Sequence, residues 1–88
     1  MKIKVHRDAE KQLSKASPKI KKKTEELVSF LLANDNLHNA PFVSKQLKGN
    51  LRAYKEILLD NDYRILFRIE GDTFFMRDAG THNYLRTK

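Results

Sequence analysis

The chain of 88 residues contains no cysteine. That excludes disulfides, a thiol nucleophile and cysteine-type zinc sites. Its histidines, His6, His38 and His82, are too scattered to form a recognisable metal-ligand spacing. No apolar run approaches membrane-spanning length. The N-terminal MKIKVHRDAEK alternates charged and apolar residues and does not build the apolar centre of a secretion signal. There is no repeat, low-complexity tract or linker. The expectation is one small cytoplasmic domain covering residues 1–88, with one modest core, no metal and no cofactor.

What the chain does carry is positive charge. Eighteen Lys and Arg against eleven Asp and Glu give a net charge of +7 and a pI near 9.8. The charge is spread along the chain and not confined to a tail. It favours a polyanionic partner, either nucleic acid or an acidic protein that covers the same surface.

Hydrophobic periodicity divides the chain simply. Lys2 to His6 alternates, with Ile3 and Val5 on one side, and reads as a short edge strand. Asp8 can cap a helix from Ala9 to about Lys15, with Ala9, Leu13 and Ala16 on one stripe. Ser17 and Pro18 read as the N-cap and first residue of a second helix reaching about Asn34. Ile20, Leu27, Val28, Leu31 and Leu32 are its expected buried stripe. Lys19, Lys21, Lys22 and Lys23 crowd its first turns, where positive charge opposes the helix dipole. A loop is expected from Asp35 to Ser44, on the strength of Asn36, Asn39 and Pro41. Three strands follow, at about Arg52–Leu59, Tyr63–Ile69 and Thr73–Asp78. The turns between them are Asp60-Asn61-Asp62 and Glu70-Gly71-Asp72.

The most informative stretch is Leu47 to Leu85, LKGNLRAYKEILLDNDYRILFRIEGDTFFMRDAGTHNYL. Strands usually carry few charges because one face is buried. Here Tyr63, Ile65, Phe67 and Ile69 line one face of the middle strand, while Arg64, Leu66 and Arg68 line the other. Ala53, Ile57 and Leu59 suggest the buried face of the preceding strand. Arg52, Tyr54, Glu56 and Leu58 would share the open face with Arg64 and Arg68. By that parity Lys55 points inward, unless a bulge shifts it. The fold class is α+β: a short N-terminal strand, then two helices on one face of an antiparallel sheet that ends in a three-stranded meander. No element remains to cover the other face, which is expected to be concave and exposed.

The segments Leu47-Lys48-Gly49, Tyr63-Arg64-Ile65-Leu66-Phe67 and Gly80-Thr81-His82, in this order and spacing, resemble the RelE/ParE superfamily of bacterial toxins. The element order resembles that family too, over nearly the whole chain. The Ala-Gly-Thr-His ending is more similar to the mRNA-interferase branches (RelE, YafQ and HigB-like) than to the gyrase-poisoning ParE branch. The resemblance implies a toxin that cuts mRNA on the ribosome without a metal. In that reaction the 2′-hydroxyl attacks the adjacent phosphate. It needs a base, an acid and a cation beside the charged phosphorane. The resemblance also implies a cognate antitoxin that wraps the domain and neutralises its basic face.

On the resemblance, Arg64 is the phosphate-binding guanidinium, which forks two donors onto two oxygens. His82 is the acid or base, because an imidazole titrates near neutrality. Lys55 matches a Lys that follows Tyr in the RelE-like pattern, whereas Glu56 matches a Glu used in other branches. Strand parity favours Glu56 and the motif favours Lys55, so both stay open. Lys45, Lys48, Arg52, Arg68 and Arg77 would hold RNA through phosphates. Tyr84 would stack on a base or pack against the sheet edge. The sequence departs from the pattern at Ile57, where a second basic residue is expected, at Asp78-Ala79, and at Arg86, where an aromatic often closes the chain. The alternatives are a ParE-like inhibitor of gyrase, for which His82 would be dispensable, and a non-catalytic RNA- or ribosome-binding module.

Overall fold

The computed structural model describes residues 1–49 and 53–86. In chain order the elements are β1 (Lys2–Val5), α1 (Arg7–Ser14), α2 (Pro18–Ala33), β2 (Ser44–Gln46), β3 (Lys55–Leu58), β4 (Tyr63–Glu70), β5 (Thr73–Thr81) and α3 (His82–Arg86). The strands form one sheet in the order β1-β5-β4-β3-β2. β3, β4 and β5 are the expected antiparallel meander. β1 lies at the edge, as its alternation suggested, but pairs in parallel with β5, from Lys2 opposite Thr73 to Val5 opposite Met76. The sheet is therefore mixed rather than antiparallel.

The helix starts follow local capping chemistry. α2 begins as expected, with Ser17 Oγ accepting the Ile20 N–H at 3.3 Å and Pro18 in the first turn. α1 begins two residues earlier than expected. His6, not Asp8, is its N-cap, and His6 Nδ1 accepts the Asp8 N–H at 3.0 Å. Asp8 then lies in the first turn, where a carboxylate complements the helix dipole.

One core joins the helices to the sheet. Ala9, Ile20, Leu27 and Leu31 pack against Ile57, Ile65, Phe67, Phe74, Met76 and Ala79, with the Phe67 and Phe74 rings stacked at 4.4 Å. Leu32, expected in the buried stripe, is 65% exposed. The stripe is narrower than the apolar run of α2, because the sheet takes up only the side carrying Ile20, Leu27 and Leu31. Ile69 has the expected parity but lies near the end of the sheet and is exposed.

Besides the early start of α1 and a β3 assigned to Lys55–Leu58 where about Arg52–Leu59 was expected, three further differences concern β2, β5 and α3. Part of the region read as a loop ends in the edge strand β2, whose side chains are all exposed. An exposed three-residue strand has no apolar alternation to announce it. β5 runs on to Thr81, past the expected end at Asp78. Its register against β4 shifts between Leu66 and Phe67: Leu66 faces Asp78, Phe67 faces Met76, and Arg77 is the extra residue. The third difference is α3. The face expected to be exposed is partly covered, because Leu85 packs with Leu47 and Leu66, flanked by Tyr54 and Tyr84. A five-residue helix is too short to show helical periodicity in sequence.

Candidate functional site

The face opposite the main core collects the residues of interest. Antiparallel partners share a face, and Glu56 lies opposite Leu66, Leu58 opposite Arg64, and Arg64 opposite Gly80. No register shift interrupts β3 and β4, so the parity read from sequence holds. Glu56 belongs to the Arg64 side. Lys55 belongs to the Ile57 and Phe67 side, where it is exposed.

Glu56 is the centre of this cluster. Its side chain is only 1% exposed, yet it is a carboxylate. Arg64 Nη1 donates to Glu56 Oε1 at 3.2 Å, and Arg64 is itself 12% exposed. Arg86 of α3 reaches the same oxygen with Nη2 at 3.5 Å and is 40% exposed. Two guanidinium groups thus hold one buried carboxylate, which offsets the desolvation a lone buried charge would suffer. Glu56 Oε2 and Arg64 Nε have no partner among the described residues. Sequence reasoning noted Arg86 only as a departure from a family pattern. Its role depends on α3 folding back over the sheet, 30 residues along the chain from Glu56.

Several contacts seat α3. Thr81 Oγ1 accepts the Tyr84 N–H at 3.2 Å, as an N-cap does. Asp62 Oδ1, from the β3–β4 turn, accepts the His82 N–H at 3.3 Å. The Tyr84 ring lies close against Gly80, where a Cβ would meet Tyr84 Cδ2 at 2.5 Å. The Tyr84 hydroxyl approaches Asp78 Oδ1 at 3.5 Å, and Asp78 is buried and accepts the Ala79 N–H at 2.8 Å. Tyr84 is thus half-buried as part of the packing beneath α3. Burial, reinforced by Asp78 and Tyr84, pushes the Tyr63 hydroxyl above its ordinary value. His82, the first residue of α3, is exposed, and it follows Gly80, the partner of Arg64, by two residues.

The remaining predicted residues are dispersed around this cluster. Lys45 is exposed on β2 opposite Glu56, on the same face, and Lys48 is exposed just beyond it. Arg52 lies outside the described residues. Arg77 is drawn away to the β1–α1 junction, where Nη1 donates to Asp8 Oδ2 at 2.9 Å and lies 3.2 Å from His6 Nδ1. Arg68 lies further along β4 on the Arg64 side, against Tyr54 and Phe75. The lysines that crowd the start of α2 are partly compensated: Lys19 and Lys23 face the β3–β4 turn and its Asp60 and Asp62. Asp60 there accepts the Tyr63 N–H at 2.7 Å and the Asp62 N–H at 2.9 Å. Those two bonds, with weaker help from Lys19 and Lys23, hold its carboxyl below the usual carboxylate value. Among the described residues no group of three or more His, Asp or Glu side chains could hold a metal ion. No helix among them is long and apolar enough to cross a membrane.

No family model and no curated protein matches the chain in sequence. Solved structures do match in fold. A chain of the RelB–RelE antitoxin–toxin complex from Methanococcus jannaschii aligns with a TM-score of 0.81 at 20% identity, covering 96% of this chain and 95% of that one. YafQ from Escherichia coli strain BL21(DE3) aligns with a TM-score of 0.78 at 16% identity, covering 94% of each. A chain of the heterotetrameric YoeB–YefM toxin–antitoxin complex from Staphylococcus aureus aligns with a TM-score of 0.73 at 19% identity, covering 93% of this chain and 97% of that one. The chain therefore has the RelE-like toxin fold over nearly its whole length.

Proposed function

We propose that this protein is the toxin of a type II toxin–antitoxin pair and that it inhibits translation by cutting mRNA on the ribosome. The reading rests on the conjunction of fold and site. A RelE-like fold carries Arg64 on the sheet face opposite Gly80, with His82 two residues further on. The net charge of +7 suits a ribosomal RNA environment. The RelB–RelE and YoeB–YefM complexes support a cognate antitoxin as the second partner.

In this reading the 2′-hydroxyl of the RNA loses its proton and attacks the adjacent phosphate, with no metal taking part; the P–O5′ bond breaks, leaving a 2′,3′-cyclic phosphate and a 5′-oxygen that is protonated to a free hydroxyl. Arg64 stabilises the charge that develops on the phosphorane oxygens. Glu56 holds Arg64 in position: its buried carboxylate accepts from Arg64 Nη1 and is also approached by Arg86. His82 is exposed and carries one of the two proton transfers. Lys45, on β2 opposite Glu56, and Lys48 contact phosphates. Lys55 belongs to the other side of β3 and is left out of the chemistry.

The test is induction of the wild type, Arg64→Ala and His82→Ala in a bacterial host, with growth measured and mRNA 5′ ends mapped. The expected result is arrest with new in-frame cuts in translated mRNAs, lost in both variants. Arrest without cuts, accompanied by induction of the DNA-damage response, would overturn the reading and favour a gyrase inhibitor.

A further inference from the structure

Beyond the Glu56 cluster, β4 carries a second feature on the same face. Arg68 Cζ lies 5.0 Å from the Phe75 ring centre and 5.4 Å from that of Tyr54. Lys4 Nζ lies 5.8 Å from the Phe75 ring centre. Phe75 is buried and forms the floor, while the Arg68 side chain is 38% exposed. Two hydrogen bonds orient the guanidinium plane: Arg68 Nη1 to the Tyr54 hydroxyl at 3.0 Å and Arg68 Nε to Glu70 Oε1 at 2.8 Å. This cation–aromatic ladder spans four strands' worth of sheet surface, since Lys4 lies on β1, Phe75 on β5, Arg68 on β4 and Tyr54 just before β3.

An exposed arginine on a strand ordinarily sweeps a wide volume. This one is flanked by two rings and tethered at two nitrogens, so its plane is preorganised. Guanidinium planes and aromatic rings are the surfaces on which unpaired RNA bases stack. The ladder also lies at a useful place. Arg64 and Arg68 are four residues apart on one strand, which puts their backbones about 13 Å apart at ~3.3 Å per residue. An RNA strand running along β4 from a phosphate at Arg64 would pass directly over it.

We propose that Arg68, with Tyr54 and Phe75, forms a base-stacking subsite for single-stranded RNA, one that holds a nucleotide neighbouring the one cut at Arg64. This rests on the endonuclease reading above and adds to it a contact that is aromatic and planar rather than purely electrostatic. Lys4, at the far end of the ladder, supplies positive charge for the backbone of the same nucleotide.

The subsite belongs to this chain alone, so it is testable without the ribosome. The probe is a short single-stranded RNA carrying 2-aminopurine, whose fluorescence is quenched by stacking, titrated with the wild type, Arg68→Ala, Arg68→Lys and Lys55→Ala. Thermal melting of each variant checks that it is folded. The wild type is expected to quench the probe saturably. Arg68→Ala is expected to weaken binding by about tenfold or more, within the range for losing one stacked base. Arg68→Lys keeps the charge but not the plane, and is expected to bind with the quenching lost. Lys55→Ala, on the other face of β3, is expected to retain quenching. Absence of quenching by the wild type, or full quenching by Arg68→Lys, would overturn the subsite. The second outcome would leave Arg68 as a phosphate contact over a structural ladder. Quenching in vitro with no mRNA cuts on induction would keep the subsite and sink the endonuclease. Cuts without quenching would do the reverse.

Discussion

Arg64 is both the proposed phosphate ligand and the main partner of a buried carboxylate, and the second role has a cost that can be measured. In Arg64→Met the apolar stem is roughly kept and the guanidinium is lost. Among the described residues Glu56, 1% exposed, then retains only Arg86, at 3.5 Å and from a side chain that is 40% exposed. Removing one partner of a buried ion pair costs about 3–5 kcal/mol, because the survivor is left buried and uncompensated. The remaining contact with Arg86 places the expectation at the lower end, about 3 kcal/mol. For a domain of this size that corresponds to a fall in Tm of roughly 12–24 °C. The double variant Glu56→Met/Arg64→Met removes the orphaned charge as well, and should recover most of the loss, since apolar replacement of a buried pair is often neutral. Arg86→Met, which loses a long and half-exposed contact, should cost less than about 1 kcal/mol. Urea denaturation of the four proteins measures all of these terms. If Arg64→Met unfolds within about 0.5 kcal/mol of the wild type, or if the double variant is less stable than the single one, the buried-charge reasoning is wrong. The same series guards the activity test. A loss of mRNA cleavage in Arg64→Ala counts as catalytic only where the variant is folded at the assay temperature, whereas His82→Ala, at an exposed position, should leave stability unchanged.

Two further outcomes test how α3 and the β3–β4 turn are held. Gly80→Ala places a Cβ 2.5 Å from Tyr84 Cδ2 at a φ of +155°. The clash and the backbone strain together should cost about 2–4 kcal/mol, read by chemical denaturation, and should loosen α3, read as faster amide exchange over His82–Arg86. Asp60 has its carboxyl held low by the N–H groups of Tyr63 and Asp62, so its contribution is present above its unfolded value near 3.8 and disappears as the pH falls through the lower native value. Asp60→Ala should therefore be about 1 kcal/mol less stable than the wild type at pH 6 to 7, in line with losing a capping oxygen, and the difference should shrink and vanish as the pH falls through the lowered native value. A deficit that persists unchanged into acid would mean that packing, not the carboxylate, accounts for it.

The strand–helix–helix–meander order was legible in the sequence, because each of those elements is long enough to show its own period. The alternation of Tyr63, Ile65, Phe67 and Ile69 against Arg64, Leu66 and Arg68 assigned both faces of β4, and unbroken pairing with β3 preserved that parity for Glu56 and Lys55. Ser17-Pro18 marked the start of α2 through capping chemistry that acts within four residues. The positive charge, the lack of cysteine and the Tyr-Arg and Gly-Thr-His segments pointed to an RNA-directed toxin on local information alone.

Tertiary structure decided what depends on residues far apart in the chain. The parallel pairing of β1 with β5 joins residues about 70 positions apart, and no local pattern encodes it. α3 is too short to be stable or recognisable alone, and it forms because Leu85, Leu47 and Leu66 bury one another and Gly80 leaves room for Tyr84. Only with α3 in place does Arg86 reach Glu56, turning an expected open face into a partly covered one. The same folding sends Arg77 to Asp8 and His6 instead of to the site, and gathers Lys4, Phe75, Arg68 and Tyr54 into one ladder. The sequence by itself determined the longer elements, the faces of the central strands and the chemistry on offer. The close approach of side chains from distant segments, which no local periodicity carries, decided which of those groups meet.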